Sequence, residues 1–364
     1  MISRLSDSLL LQPSDVQPSQ SDWEVIGVFN PAVAIVHDEL IMLARVAERP
    51  SEKRAGWTAL PHWTDDRQTE VEWFRDEELC QTDARVVTIK KSGDLRLTSV
   101  SHFQIFRQST SNQPWEYVAS LLPEGDQEEY GIEDPRITKI DGTYRITYVA
   151  VSRSGAATAL MSSTDFVTFQ RRGIIFASEN KDVVLFPQRI GGDYVSLHRP
   201  NPSSHFSPPQ IWLARSPDLV HWGRHKPILS GANSWEGDRV GSGTPPILID
   251  EGWLTLYHGS TVSNTAGTVG CYAVGALLLD LNDPSHVLAR SIEPIMQPTT
   301  AFEKNGFVPN VVFPTAMLDV EDEWHVYYGA ADTSVAMTRF SKRSVLDSLL
   351  STQDTQFSTQ DTQS

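Results

Sequence analysis

The chain has 364 residues, 40% of them hydrophobic and 21% charged, and a formal net charge of −16. That acidic balance speaks against nucleic acid or an anionic membrane as partner, because both reward clustered Lys and Arg. It leaves room for a small anion in a local basic pocket.

Two cysteines, Cys80 and Cys271, are too few for a disulfide framework and fit a reducing compartment. Met1 to Gln20 has no apolar run of signal-peptide type. No stretch approaches the ~18 apolar residues of a membrane span. These features lead to the expectation of a soluble, cytoplasmic protein. The length allows two domains, although large all-β folds often run as one.

In chain order, residues 1–22 are rich in Ser, Gln, Asp and Pro and read as a flexible arm. A β-hairpin then recurs. Its first copy is Ala32 to Val36, a turn at His37 to Glu39, and Leu40 to Arg45. The wide gap that follows is expected to hold a short helix near Trp73 and an outer hairpin at Gly93 to Leu97. The second copy is Arg136 to Ile140, Asp141-Gly142, and Thr143 to Tyr148. The third is Phe186 to Ile190, Gly191 to Asp193, and Tyr194 to Arg199. The fourth is Pro245 to Ile249, Asp250 to Gly252, and Trp253 to His258. The fifth is Phe313 to Leu318, Asp319 to Glu323, and Trp324 to Tyr328. A second motif, Ser163 to Phe169, returns as Ser216 to Trp222. The best helical pattern is Ser341 to Leu350, and the Thr-Gln-Asp repeats after Ser351 read as a disordered tail.

Five such hairpins suit an all-β five-bladed β-propeller with a short C-terminal helix. On this reading residues 23–350 form one propeller domain between the arm and the 351–364 tail. A pair of β-sandwiches is the alternative, and it leaves the recurrence unexplained.

In a propeller the innermost strands surround one axis, so equivalent repeat positions converge. The strand entrances carry Asn30, Asp134, Lys181 with Asp182, Arg239 and Asn310. The far ends carry Arg45, His198 with Arg199, His258 and Asp332. So many basic groups in an acidic chain imply a buried cationic pocket, balanced by carboxylates or a bound anion. An internal salt-bridge network between blades is the plainer alternative.

Gly131 to Arg136 reads Gly-Ile-Glu-Asp-Pro-Arg. Pro135 biases Asp134 toward an extended backbone, with Arg136 on the same side. A carboxyl held beside cations on a rigid strand is a candidate acid, and burial is expected to raise its pKa against the pull of Arg136. A strand-capping Asp is the plainer reading. His205 reads as a rim or surface histidine, and no metal-ligand spacing occurs.

Four stretches together resemble glycoside hydrolase family 130. They are Gly131 to Arg136; Leu185 to Pro187 with Leu197 to Pro200; Gly241 to Pro246 with Tyr257 to Gly259; and Gly306 to Pro314 with Tyr328 to Asp332. The resemblance spans roughly residues 25–345. It implies a five-bladed propeller and an inverting phosphorolysis of β-mannosides, β-1,2- or β-1,4-linked, releasing α-mannose 1-phosphate. Asp134 would be the catalytic acid, acting directly or through a substrate hydroxyl. Lys181, Arg199, Arg239 and His258 would bind phosphate. Asn30, Arg45 and Asp332 would contact mannose, with Glu133, Arg136 and Asp182 beside the substrate. The family's usual Arg and Lys are exchanged at 181 and 239, which keeps charge and changes geometry.

A phosphate nucleophile needs no general base, which suits one acid among several cations. A hydrolase would need a carboxylate base, for which Glu236 or Asp182 is available. A non-catalytic binder would use Trp212, Trp222, Trp235 and Trp253 as stacking faces. The expected partners are a β-mannoside oligosaccharide and inorganic phosphate as co-substrate, with no cofactor, nucleic acid or membrane. A homo-oligomer is left open.

Overall fold

The computed structural model describes residues 2–81, 85–109, 113–201, 206–232, 234–263 and 269–350. His205 and the 351–364 tail lie outside these residues. The described chain is almost entirely β, with two α-helices, Ala301–Lys304 and Lys342–Leu350. The second is the expected C-terminal helix. No described helix is long and apolar enough to cross a membrane.

A hairpin forms at each of the five repeats, four of them from the strands expected. The third starts earlier than its apolar run suggests: Asn180–Leu185 pairs with Tyr194–Pro200, and Phe186 to Ile190 is the connection. Each hairpin acquires outer strands. Gly131–Ile140, Thr143–Ser152, Gly155–Ser163 and Gln170–Phe176 run side by side, as do Asn180–Leu185, Tyr194–Pro200, Ile211–Ser216 and Gly223–Leu229. Trp23–Val36, Glu39–Pro50, Val100–Gln108 and Glu116–Leu121 form another such set. It touches the set beginning at Gly131 through one parallel pair, Gly131 with Ser101. Gly131 has φ +121°, and a Cβ there would lie 2.5 Å from the Ser101 backbone, so only glycine permits the junction.

Residues 1–22 depart from the expected arm. Ser6–Leu11 pairs antiparallel with Ser334–Ser341, so the two ends of the chain share one sheet. The gap after the first hairpin departs too. Trp73 lies in a strand, Thr69–Arg75, paired with Trp57–Trp63. Val86–Ile89 and Leu95–Leu97 belong to a separate three-stranded sheet with Leu79–Gln81.

Alternating side chains bury one face of each sheet against the next. Leu254, Leu256, Trp324 and Val326 lie in one apolar cluster, and Phe103, Ile132 and Ile146 lie in another. Trp253 and Trp324 are fully buried in these cores.

A polar triad recurs within the sheets. The hydroxyls of Tyr148, Tyr257 and Tyr328 donate to Glu128, Glu236 and Glu303 at 2.6, 2.6 and 2.7 Å. Arg171, Arg290 and Arg4 complete the three sites. Each tyrosine occupies the same register, one residue before the position that pairs with Glu133, Gly241 or Phe313. In the 180–229 sheet His198 takes that register position and contacts Asn180 and His225 instead. Tyr257→Phe leaves a buried glutamate short of a donor, at a cost of about 1–3 kcal/mol. A thermal melt should show a Tm lowered by several degrees, and an unchanged Tm would contradict the structural role.

Candidate active site

Three of the inner strands share an irregularity that the hairpin pattern did not predict. Between Glu133–Val149 and Arg136–Thr147, two residues oppose one. The same β-bulge occurs at Asn30-Pro31 and at Asp182-Val183. Asn30, Asp134 and Asp182 therefore have φ of +46°, +50° and +57°. This corrects the extended backbone expected from Pro135. The extra residue forces the left-handed region, which Asn and Asp tolerate better than other side chains. A bulge re-aims its side chain, and all three side chains line one cavity of about 250 Å³.

Nine expected site residues meet there: Asn30, Arg45, Glu133, Asp134, Lys181, Asp182, Arg199, Arg239 and Asp332. They divide into two halves. In the first, Arg45 donates through Nη1 to Asp134 at 3.0 Å and through Nη2 to Glu133 at 2.7 Å. Asn30 donates to the same Asp134 oxygen at 2.8 Å. Arg45 also lies 4.6 Å over the Phe29 ring, which fixes its plane.

In the second half, Asp182 Oδ2 lies 3.1 Å from Arg199 Nε and 3.4 Å from His258 Nε2. Lys181 and Arg239 line the cavity beside them, and Arg239 is paired to Asp238 at 2.6 Å.

Three expected residues sit elsewhere. Arg136 is buried behind the cavity, where it donates to the carbonyls of Gly243 and Asp134 at 2.6 and 2.8 Å. It thereby clamps the bulge. His258 has no exposed surface and packs between Tyr272 and Phe313. Burial presses its pKa down to about 3, Asp182 opposes the shift, and Arg199, Arg136 and Arg239 add to it. The imidazole is therefore neutral and adds no charge to the cationic cluster.

Glu236, weighed as a hydrolytic base, is fully buried and accepts from Tyr257 and Arg290 in its triad. It lies outside the cavity lining, and its two counterparts in other sheets have the same partners. It is a structural carboxylate. The tryptophans named as stacking faces are also absent from the lining.

Sequence reading missed Arg85, Val86 and Leu97, which the small three-stranded sheet and its edge bring to the cavity. Arg85 lies 3.7 Å from Asp332. Only the basic side chain itself could have drawn attention to it, because no repeat covers this insertion.

The carboxylates differ in electrostatics. Burial would raise Asp134, but Arg45, Arg136, the Asn30 amide and Lys181 outweigh it and hold the group below the ordinary aspartate value. This reverses the expectation that burial prevails. Burial raises Asp332 as well. There Arg85 and Arg45 pull it back, Asp134 and Glu133 push it further, and the balance stays above the ordinary value. Ionised Asp332 thus costs the protein stability at neutral pH. Asp332→Asn should raise the Tm at pH 7, at roughly 2–4 °C per kcal/mol relieved. The gain should shrink as pH falls through the raised pKa, where the native carboxyl is itself neutral. An equal or lower Tm at pH 7 would contradict this balance.

The family model for glycoside hydrolase 130, described as beta-1,4-mannooligosaccharide phosphorylase, matches residues 90–351. A beta-1,2-mannobiose phosphorylase of Listeria innocua is 40% identical over 342 residues, 92% of this chain and 94% of that one. A solved structure of that Listeria innocua enzyme as a beta-1,2-mannobiose complex superposes with a TM-score of 0.87, covering 93% of this chain and 96% of that one at 39% identity. A beta-1,4-mannooligosaccharide phosphorylase of Ruminococcus albus is 34% identical over 235 residues, 64% of this chain and 69% of that one.

Proposed function

The chain belongs to glycoside hydrolase family 130, and from that membership we propose that it is an inverting phosphorylase of β-1,2-linked manno-oligosaccharides. The β-1,2 linkage is favoured because the relative matched over 92% of this chain is a beta-1,2-mannobiose phosphorylase. The sets of four strands are read as blades of a five-bladed propeller spanning residues 23–350, closed by Ser6–Leu11. The observation that carries the functional reading is one cavity lined by Asp134 and by Lys181, Arg199 and Arg239.

In this mechanism Asn30, Arg45, Glu133 and Asp332 hold the terminal mannose. Phosphate rests on Lys181, Arg199 and Arg239, with neutral His258 supporting Arg199 and Asp182 from behind. A phosphate oxygen attacks the anomeric carbon from the face opposite the leaving sugar. The bond to that sugar's oxygen breaks as the Asp134 proton reaches it, directly or through a substrate hydroxyl. The products are α-mannose 1-phosphate and the shortened mannoside. The cations stabilise the incoming anion against an oxocarbenium-like centre, and no protein base is needed. Arg136 fixes the Asp134 backbone, which keeps the acid aimed at the reacting oxygen.

Incubation of β-1,2-mannobiose with and without phosphate, followed by ³¹P NMR, tests the reaction. Cleavage should require phosphate and yield one α-mannose 1-phosphate per bond. Asp134→Asn should lower the rate by about 10²–10⁴-fold. Phosphate-independent cleavage, or an undiminished Asn variant, would overturn the reading.

A pH dependence also follows. The acid must be protonated, so activity falls as pH rises through the Asp134 pKa. Bound phosphate offsets the Lys181 and Arg136 charges that depress it. The basic limb of kcat/KM for the mannoside should therefore move to higher pH as phosphate approaches saturation. A limb that stays in place would contradict the coupling.

A further inference from the structure

Asp182 is an unexpected residue to find in a site for an anion. Its side chain is buried, lines the cavity, and stands among Arg199, His258, Lys181 and Arg239. A carboxylate there repels any fully ionised anion seated on the same cations. It nonetheless accepts a hydrogen bond from an anion that still carries a proton.

Its position is built in. The bulge gives Asp182 φ +57°, which turns it toward the cavity. A Cβ on Gly241 would lie 2.3 Å from Asp182 Oδ2 and 2.5 Å from the His258 ring, so the glycine makes room for both groups. Arg199 and His258 approach the same oxygen, Oδ2, and neither contact meets hydrogen-bond geometry. A carboxylate has about four acceptor positions, so capacity for a further donor remains.

We propose that Asp182 makes the anion site selective for tetrahedral oxyanions that carry a proton, accepting a hydrogen bond from the P–OH of phosphate. This rests on the phosphorolytic reading above and extends it to the choice of co-substrate. Phosphate keeps at least one proton at neutral pH, whereas sulfate has none. Arsenate resembles phosphate in this respect, and selenate resembles sulfate. Within each pair the size is similar and the proton differs. A proton-free anion would leave the Asp182 lone pairs facing negative charge with no donor between, a mismatch that buried polar sites reject strongly.

The test is a binding titration of the full chain with each of the four anions at pH 7, repeated with Asp182→Asn. In the unchanged protein, phosphate and arsenate should bind at least about tenfold more tightly than sulfate and selenate, the factor expected for one buried unpaired acceptor. In Asp182→Asn the amide donates instead, and the four affinities should converge to within about threefold. Comparable binding of sulfate and phosphate by the unchanged protein would overturn the inference while leaving phosphorolysis standing. Selectivity that survives in Asp182→Asn would also overturn it. Failure to bind any of the four would remove the phosphorolytic reading and this inference together. If the variant does not fold, as judged by its melt, the anion series on the unchanged protein decides.

Discussion

One extra residue, inserted at the same register in three hairpins, governs the geometry of the cavity. An uninterrupted strand would direct alternate side chains into the cores between sheets. The bulges at Asn30, Asp134 and Asp182 break that alternation and turn three polar side chains toward one space. The backbone there is in a sparsely populated region, at a cost of order 1–3 kcal/mol per residue. Surrounding contacts hold it in place: Arg136 clamps the Asp134 and Gly243 carbonyls, and Thr147 bonds the Val183 carbonyl at 2.6 Å. The tyrosine and histidine residues opposite two of the bulges, Tyr148 and His198, are anchored by polar partners of their own.

The charges around the cavity form two opposed environments. Arg45 is largely satisfied by Glu133 and Asp134, so that half has little spare positive charge for an anion. The other half gathers Lys181, Arg199 and Arg239 around the single lining carboxylate Asp182. In the proposed reaction the first half would bind sugar and supply the proton, and the second would hold the nucleophile. The same separation explains why Asp134 is held ionised, since Arg45, Arg136 and Lys181 all favour its charged form.

Much of this was legible in the sequence. Alternation, turn residues and recurrence located four hairpins and the second strand of the remaining one, and convergence of their ends anticipated eight of the nine expected residues that line the cavity. What was not legible has identifiable causes. Pro135 argues for an extended Asp134, and the bulge that overrides it is a property of pairing between strands. His258 looked cationic by residue type, but burial among Arg199, Arg136 and Arg239 leaves it neutral. Glu236 looked available because its loop is polar, whereas its partners Tyr257 and Arg290 lie 21 and 54 residues away. Arg85 belongs to an insertion without a repeat, so no internal comparison pointed to it. The N-terminal strand was missed because its polar composition resembles a free arm, and its pairing partner lies at the other end of the chain.

The central claim is spatial: proposed acid and proposed nucleophile must approach one anomeric carbon from opposite sides. A crystal structure of Asp134→Asn with β-1,2-mannobiose and phosphate bound would measure this directly. The account predicts phosphate among Lys181, Arg199 and Arg239 with an oxygen in line with the scissile bond, and residue 134 beside the glycosidic oxygen or a hydroxyl leading to it. Phosphate seated away from those three cations, or on the same face of the sugar as residue 134, would contradict it.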